Sequence, residues 1–209
     1  MAVLYVNTLI MIFLRVVCAC LTATLAGYAF ARLEFPFKKF FFSLILIQMM
    51  VPGQIFIIPQ YLIISKLNMM NTQFALLFPG IATAFGTYLC KQSYQSLPRS
   101  LEEAAELDGC TIPKQFLYIM LPLTRSSLVS LGIFTALFVY KDLMWPMIVC
   151  PKSDATTLTA ALSKLQGQFI NNYPQVMAGA VMAVLPMLIL YLIFQKQFVE
   201  GIATSGGKL

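Results

Sequence analysis

The chain has 209 residues, of which 59% are hydrophobic and 11% charged, with a mean hydropathy of +0.81 and a formal net charge of +6. Soluble domains carry about 25% charged residues, so these proportions point to lipid rather than water as the solvent. No histidine is present, which removes the commonest metal ligand and general base.

Five apolar segments follow in chain order: 9–31, 40–64, 74–90, 128–149 and 176–194. A helix rises about 1.5 Å per residue, so about 20 residues cross a 30 Å hydrocarbon core. The first segment reads as a span rather than a cleaved leader, because no basic stretch precedes it and Arg15 lies inside it. An arginine there either packs on a neighbouring helix, snorkels to the outer interface or faces the translocation path. The second segment contains Pro52 and Pro59, the third Pro79 and the fifth Pro186. Neighbouring helices of a membrane bundle can satisfy the carbonyls that proline frees, so kinked spans are expected. The third segment is short and needs Thr72, Gln73 and Gln92 to reach both interfaces. Trp145 sits near the outer end of the fourth, where interfacial aromatics collect.

Lys and Arg set the orientation. One side holds nine (Arg32, Lys38, Lys39, Lys91, Arg99, Lys114, Arg125, Lys196, Lys208), and the other holds Lys66, Lys152 and Lys164. The richer side is assigned to the cytoplasm, with the N-terminus outside and the C-terminus inside. Cationic loops thereby account for the positive charge without nucleic acid. The five cysteines form no C-x-x-C pair, and a disulfide or zinc site is not expected. One domain, 1–209, is read, with 204–209 as a short flexible tail.

The longest polar stretch on the basic side is 98–122, PRSLEEAAELDGCTIPKQFLYIMLP. Ser100 with Glu103 forms a capping-box pattern, which predicts a short helix over 101–107. Gly109 suits the left-handed position after a helix. Thr111 can cap a second helix with Pro113 in its first turn, carrying Phe116, Leu117, Ile119 and Met120 and stopping at Pro122. Two short helices around a glycine turn make a knob suited to docking a soluble partner.

The string Glu103-Ala104-Ala105, Gly109, Ile119, Leu121-Pro122, with Asp108 beside the glycine, resembles the EAA motif of ABC importer permeases. Asn7-Thr8-Leu9, the run from Gly27 to Arg32, Met50-Val51-Pro52-Gly53-Gln54, Asn71-Thr72, Leu165-Gln166-Gly167-Gln168 and the run from Gln197 to Gly201 resemble the carbohydrate-uptake group related to maltose-type permeases. The resemblance implies an all-α integral membrane protein: a type I ABC importer helix bundle of about five spans. It implies a multi-pass permease of the bacterial plasma membrane that passes a sugar inward. Its partners would be a second homologous permease, two ATP-binding-cassette ATPase subunits and an extracellular sugar-binding protein. ATP would be bound by the ATPases, leaving this chain without cofactor, metal or catalytic residue. Glu103, Ala104, Ala105, Asp108, Gly109, Ile119, Leu121 and Pro122 would form the ATPase-coupling element. Glu103 and Asp108 would meet basic groups, the alanines would allow close approach, and Gly109 would set the angle between the short helices.

Two features depart from the family. Relatives usually have six spans, the first preceding the Asn-Thr-Leu segment, and they commonly show Trp-Asn-Asp where this chain has Tyr140-Lys141-Asp142. Lys141 and Asp142, adjacent on a helix, are expected to pair with other helices or water, or to contact sugar. The tail from Gly201 to Lys208 misses a phosphate loop by one residue of spacing and lacks a following Ser or Thr. The alternatives are a truncated, non-transporting remnant and a secondary transporter. The latter would be expected to place ionisable groups in mid-span, where Arg15 is the one candidate.

Overall fold

Small residues at every fourth position decide how the first helix packs. The structure, a computed structural model, describes residues 2–152, 155–164 and 173–206. Helix α1 spans Ala2–Arg32, contains no proline and returns the hydroxyls of Thr8 and Thr22 to carbonyls four residues earlier, at 2.7 and 2.9 Å. Ala19, Ala23, Gly27 and Ala31 fall on one buried face. A Cβ on Gly27 would come within 2.5 Å of Cys90 Cβ, so a side chain there would push the neighbouring helix away. Close contact through small residues drives helix pairing where lipid is as apolar as leucine. Val3, Leu9, Phe13, Leu21 and Leu25 of the same helix are exposed, as lipid-facing side chains are.

The second apolar segment is not one straight span. It divides into α2 (Lys38–Met50), a 3₁₀ turn at Gly53–Phe56 and α3 (Ile57–Lys66), with the axis bent by 103°. Val51 is extended because the ring of Pro52 disfavours helical backbone before it. Pro59 does not bend the chain, since it lies in the first turn of α3, where its missing N–H is not required.

The third segment forms α4 (Gln73–Leu77), a 3₁₀ turn at Phe78–Gly80 and α5 (Ala84–Gln95), bent by 47°. Thr72 and Thr83 cap its two halves through the N–H groups of Ala75 and Gly86, at 3.2 and 3.0 Å. Pro79 cannot donate to the carbonyl of Ala75, four residues earlier. Trp145 Nε1 donates to it instead, at 2.8 Å. The next carbonyl, of Leu76, accepts from Arg15 Nε and Nη2 at 3.1 and 2.5 Å. Gly80 makes room, since a Cβ there would meet Arg15 Cδ at 2.2 Å. Arg15 thus packs on a neighbouring helix, and Trp145, 4% exposed, is a buried donor rather than an interfacial anchor. Replacing Trp145 by Phe would strand a buried carbonyl at a cost of about 1–3 kcal/mol. The expected result is a lower Tm in detergent, and an unchanged Tm would show that another donor takes over.

After the 98–122 loop, α9 (Arg125–Lys141) and α10 (Met144–Val149) replace the single helix expected over 128–149. Asp142 leaves helical backbone with ψ 111°, and its carboxylate accepts from the N–H of Trp145 at 3.3 Å. The Asp142 carboxylate therefore serves the start of the next helix, while Lys141 stays exposed. The remaining long elements are α11 (Leu158–Ser163) and α12 (Tyr173–Gly206), and Pro186 lies inside the latter without ending it. Helix covers 204–206, where a flexible tail was expected. Residues 207–209 and the 165–168 string lie outside the described residues.

Helix α1 is the hub, packed against α5 and α9, while α2 lies on α5 and buries none of its own residues. Two cores form along α1. One gathers Met11, Ile64, Leu76, Trp145 and Val149, and the other Ala23, Tyr28, Cys90, Tyr94, Phe116 and Leu131. All five cysteines are free thiols. The described residues form helices and connecting turns. By itself α1 is long and apolar enough to cross a membrane, and three bent helix pairs raise the crossings to as many as four when each counts as one. A shorter apolar helix covers 173–189, against the about five spans expected.

Candidate functional site

Backbone groups, not the expected serine, start the loop helix. The carbonyl of Arg99 accepts from Glu102 and Glu103 N–H at 2.9 and 3.1 Å, so α6 spans Ser100–Leu107 with Arg99 at its cap and no side-chain capping bond. The Ser100–Glu103 capping box is therefore not formed. Glu102 and Glu103 occupy the first turn, where carboxylates suit the helix dipole.

The end of α6 follows the sequence reading. Gly109 has φ +74°, the N–H of Cys110 reaches Ala105 O and that of Gly109 reaches Glu106 O, both at 2.9 Å. This is a Schellman closure, which needs the left-handed residue. Nothing lies within 4 Å of a Cβ placed on Gly109, so conformation, not crowding, demands glycine.

Thr111 takes extended backbone before α7 (Ile112–Gln115), but its hydroxyl makes no capping bond. Gln115, 2% exposed, ties the turn instead by donating from Nε2 to Cys110 O at 3.1 Å. A π turn over Phe116–Met120 leads into α8 (Leu121–Leu123). The helix therefore runs through Pro122 rather than stopping at it. The N–H of Leu121 reaches Phe116 O, five residues back, and Pro122 falls in a fresh first turn where no N–H is needed. Thr124 ends the helix, with its N–H and hydroxyl both on Met120 O.

The elbow is anchored from behind. Arg32, the last residue of α1, places Nε 3.2 Å from Glu102 Oε2 and donates from Nη2 to the carbonyls of Tyr94 and Leu97, both at 2.6 Å. The ion pair is largely buried, with side-chain exposures of 7% and 14%. Tyr28, Tyr94 and Phe116 pack beside it edge-on or tilted, with ring centroids 5.1–6.4 Å apart. The end of α1, the end of α5 and the loop are thus one joint. A cavity of about 330 Å³ opens against it, lined by Tyr28, Arg32, Glu102, Glu106, Ile112 and Gln115.

The expected coupling residues separate by face. Glu103, Ala104, Asp108, Gly109 and Pro122 are exposed, Ile119 and Leu121 are half-buried, and Ala105 is buried. Only the first of the two alanines is free for a partner's approach, while the second lets α6 lie close to its own bundle. Leu107 is 90% exposed at the tip and Tyr118 77%, an apolar display beside the carboxylates of Glu103, Glu106 and Asp108. Sequence reasoning missed Leu107, Glu102 and the anchoring role of Arg32. A lone exposed leucine at a helix end, the first of two adjacent glutamates and one more basic residue at a span end carry no local signal. Among the described residues no cluster of three or more His, Cys, Asp or Glu could hold a metal ion.

Residues 23–203 match the family model described as binding-protein-dependent transport system inner membrane component. The arabinooligosaccharides transport system permease protein AraQ of Halalkalibacterium halodurans is 36% identical over 92% of this chain and 69% of its own length. The lactose transport system permease protein LacG of Rhizobium radiobacter is 31% identical over 88% of this chain and 68% of its own. A crystal structure of a bacterial ABC transporter involved in import of the acidic polysaccharide alginate shares the fold, with a TM-score of 0.82 at 22% identity over 93% of this chain and 74% of that one. The chain belongs to the family of binding-protein-dependent transport system inner membrane components.

Proposed function

We propose that this chain is the permease subunit of an ATP-driven sugar importer. It forms half of the translocation path with a second homologous permease, and an extracellular binding protein delivers the sugar. Two ATPase subunits bind and hydrolyse ATP in the cytoplasm. The names of AraQ and LacG support a mono- or oligosaccharide as cargo.

The observation that carries the reading is the elbow itself: an exposed acidic and apolar tip on α6 and Gly109, joined rigidly through Arg32–Glu102 to the end of α1. A rigid joint passes a push on the tip to the hub helix. ATP-driven closure of the ATPases would then rock the bundle between inward-open and outward-open states. Glu103 and Asp108 meet cationic groups on the ATPase, and Leu107 fills an apolar hollow there. A secondary carrier is disfavoured because the guanidinium of Arg15 is spent on Leu76 O.

The charge asymmetry supports an elbow and a C-terminus on the cytoplasmic side. The substitution Leu107→Cys tests partner and side together. Membrane-impermeant maleimide is expected to label it only in inside-out vesicles, and a short bifunctional crosslinker is expected to join it to an ATPase subunit. Labelling in intact cells would overturn the reading.

A further inference from the structure

A second cavity, of about 550 Å³, lies where the end of α1, the start of α2 and the end of α5 diverge. The chain turns there at Phe37, which sits at φ +59°. Lys38, Lys39, Lys91 and Arg99 line the cavity, with Glu34 as the one carboxylate, a surplus of three positive charges. Glu34 is taken by Lys38 at 3.3 Å, and among the described residues Lys39, Lys91 and Arg99 have no carboxylate within ion-pair distance. Lys91 rests with Nζ 3.4 Å from the centroid of Phe42. Gathering unneutralised ammonium groups in a half-enclosed site is unfavourable unless an anion joins them.

The surroundings say which anion. Phe37 lines the cavity and is 75% exposed, and Phe40 and Phe41 follow in the first turn of α2, 59% and 48% exposed. The site lies at the ends of spanning helices, so these rings face the membrane boundary. Cations above and bare apolar rings beside them match a phosphate joined to acyl chains. Basic pockets between spanning helices on the cytoplasmic side suit lipid headgroups, and the volume falls within the range of about 300–1,000 Å³ that holds a small ligand.

We infer that this cavity is a binding site for the phosphate headgroup of an anionic phospholipid of the cytoplasmic leaflet. The leaflet assignment rests on the orientation proposed above. Arg99 lines this cavity and also caps α6, so the bound headgroup touches the start of the coupling elbow.

Native mass spectrometry of the full chain in neutral detergent, titrated with phosphatidylglycerol or phosphatidylcholine of the same acyl length, tests this. Binding in micelles does not depend on which way the chain faces, so failure here is separate from failure of the maleimide test. One preferentially held phosphatidylglycerol is expected. Each surface lysine contributes about fivefold to such binding, so Lys39→Gln with Lys91→Gln should weaken it about twenty-fivefold. Lys39→Arg with Lys91→Arg should retain it, as should Lys152→Gln at the other end of the bundle. Equal binding of the two lipids would overturn the inference. So would undiminished binding by the double glutamine variant, or displacement by millimolar inorganic phosphate, which would make the ligand a soluble anion.

Discussion

Gly109→Val is expected to reduce sugar uptake to background while the protein reaches the membrane in normal amount. The backbone there sits at φ +74° and closes the Schellman turn with two 2.9 Å bonds. A left-handed conformation costs an L-residue about 1–2 kcal/mol, and β-branching makes it a genuine outlier. Relaxing to negative φ would break both bonds and swing α6 relative to α7. Because the position is open, with nothing within 4 Å of an added Cβ, no steric clash confounds the result. Gly109→Asn, which tolerates the left-handed region, should keep most uptake, and Gly109→Ala should fall between. Uptake of radiolabelled sugar at matched membrane levels reads the series. Equal activity of the Val and Asn variants would exclude the turn as a lever.

Arg32→Leu should produce the largest loss of stability in the elbow. It strands a largely buried carboxylate and removes donors from the carbonyls of Tyr94 and Leu97. Breaking one side of a buried ion pair costs about 3–5 kcal/mol. Hydrogen exchange over 98–124 should accelerate strongly, and transport should fall with it. Arg32→Lys should rescue only in part, because a point charge cannot hold a carboxylate and two carbonyls as a planar fork does. Glu102→Leu added to Arg32→Leu should cost less than the two single losses combined, since neither ion is then left alone. Unchanged exchange in the single variant would show that the elbow is held by its aromatic packing instead.

The same elbow shows how far residue order reads through to structure. Gly109 was legible because a positive φ after a short helix has few other tenants. The Ser100 capping box was not formed, because the carbonyl of Arg99 accepts the Glu103 N–H that the serine hydroxyl would have taken. Pro122 looked like a stop, yet a π turn just before it removed the need for its N–H. The prolines of the spans divided in the same way: Pro52 and Pro79 mark breaks, whereas Pro59 and Pro186 do not.

Sequence alone determined the solvent, the five apolar segments, the basic side and the glycine-hinged loop, because hydropathy, charge and a left-handed turn are properties of residues and near neighbours. Only the tertiary structure decided that Arg15 and Trp145 serve the carbonyls around Pro79, that Glu102 ties the elbow to Arg32, and that two lysines from separate helices share one cavity. Those outcomes depend on which groups meet across spans far apart in the chain, and in lipid a freed carbonyl or a buried ion takes whatever partner packing brings within reach.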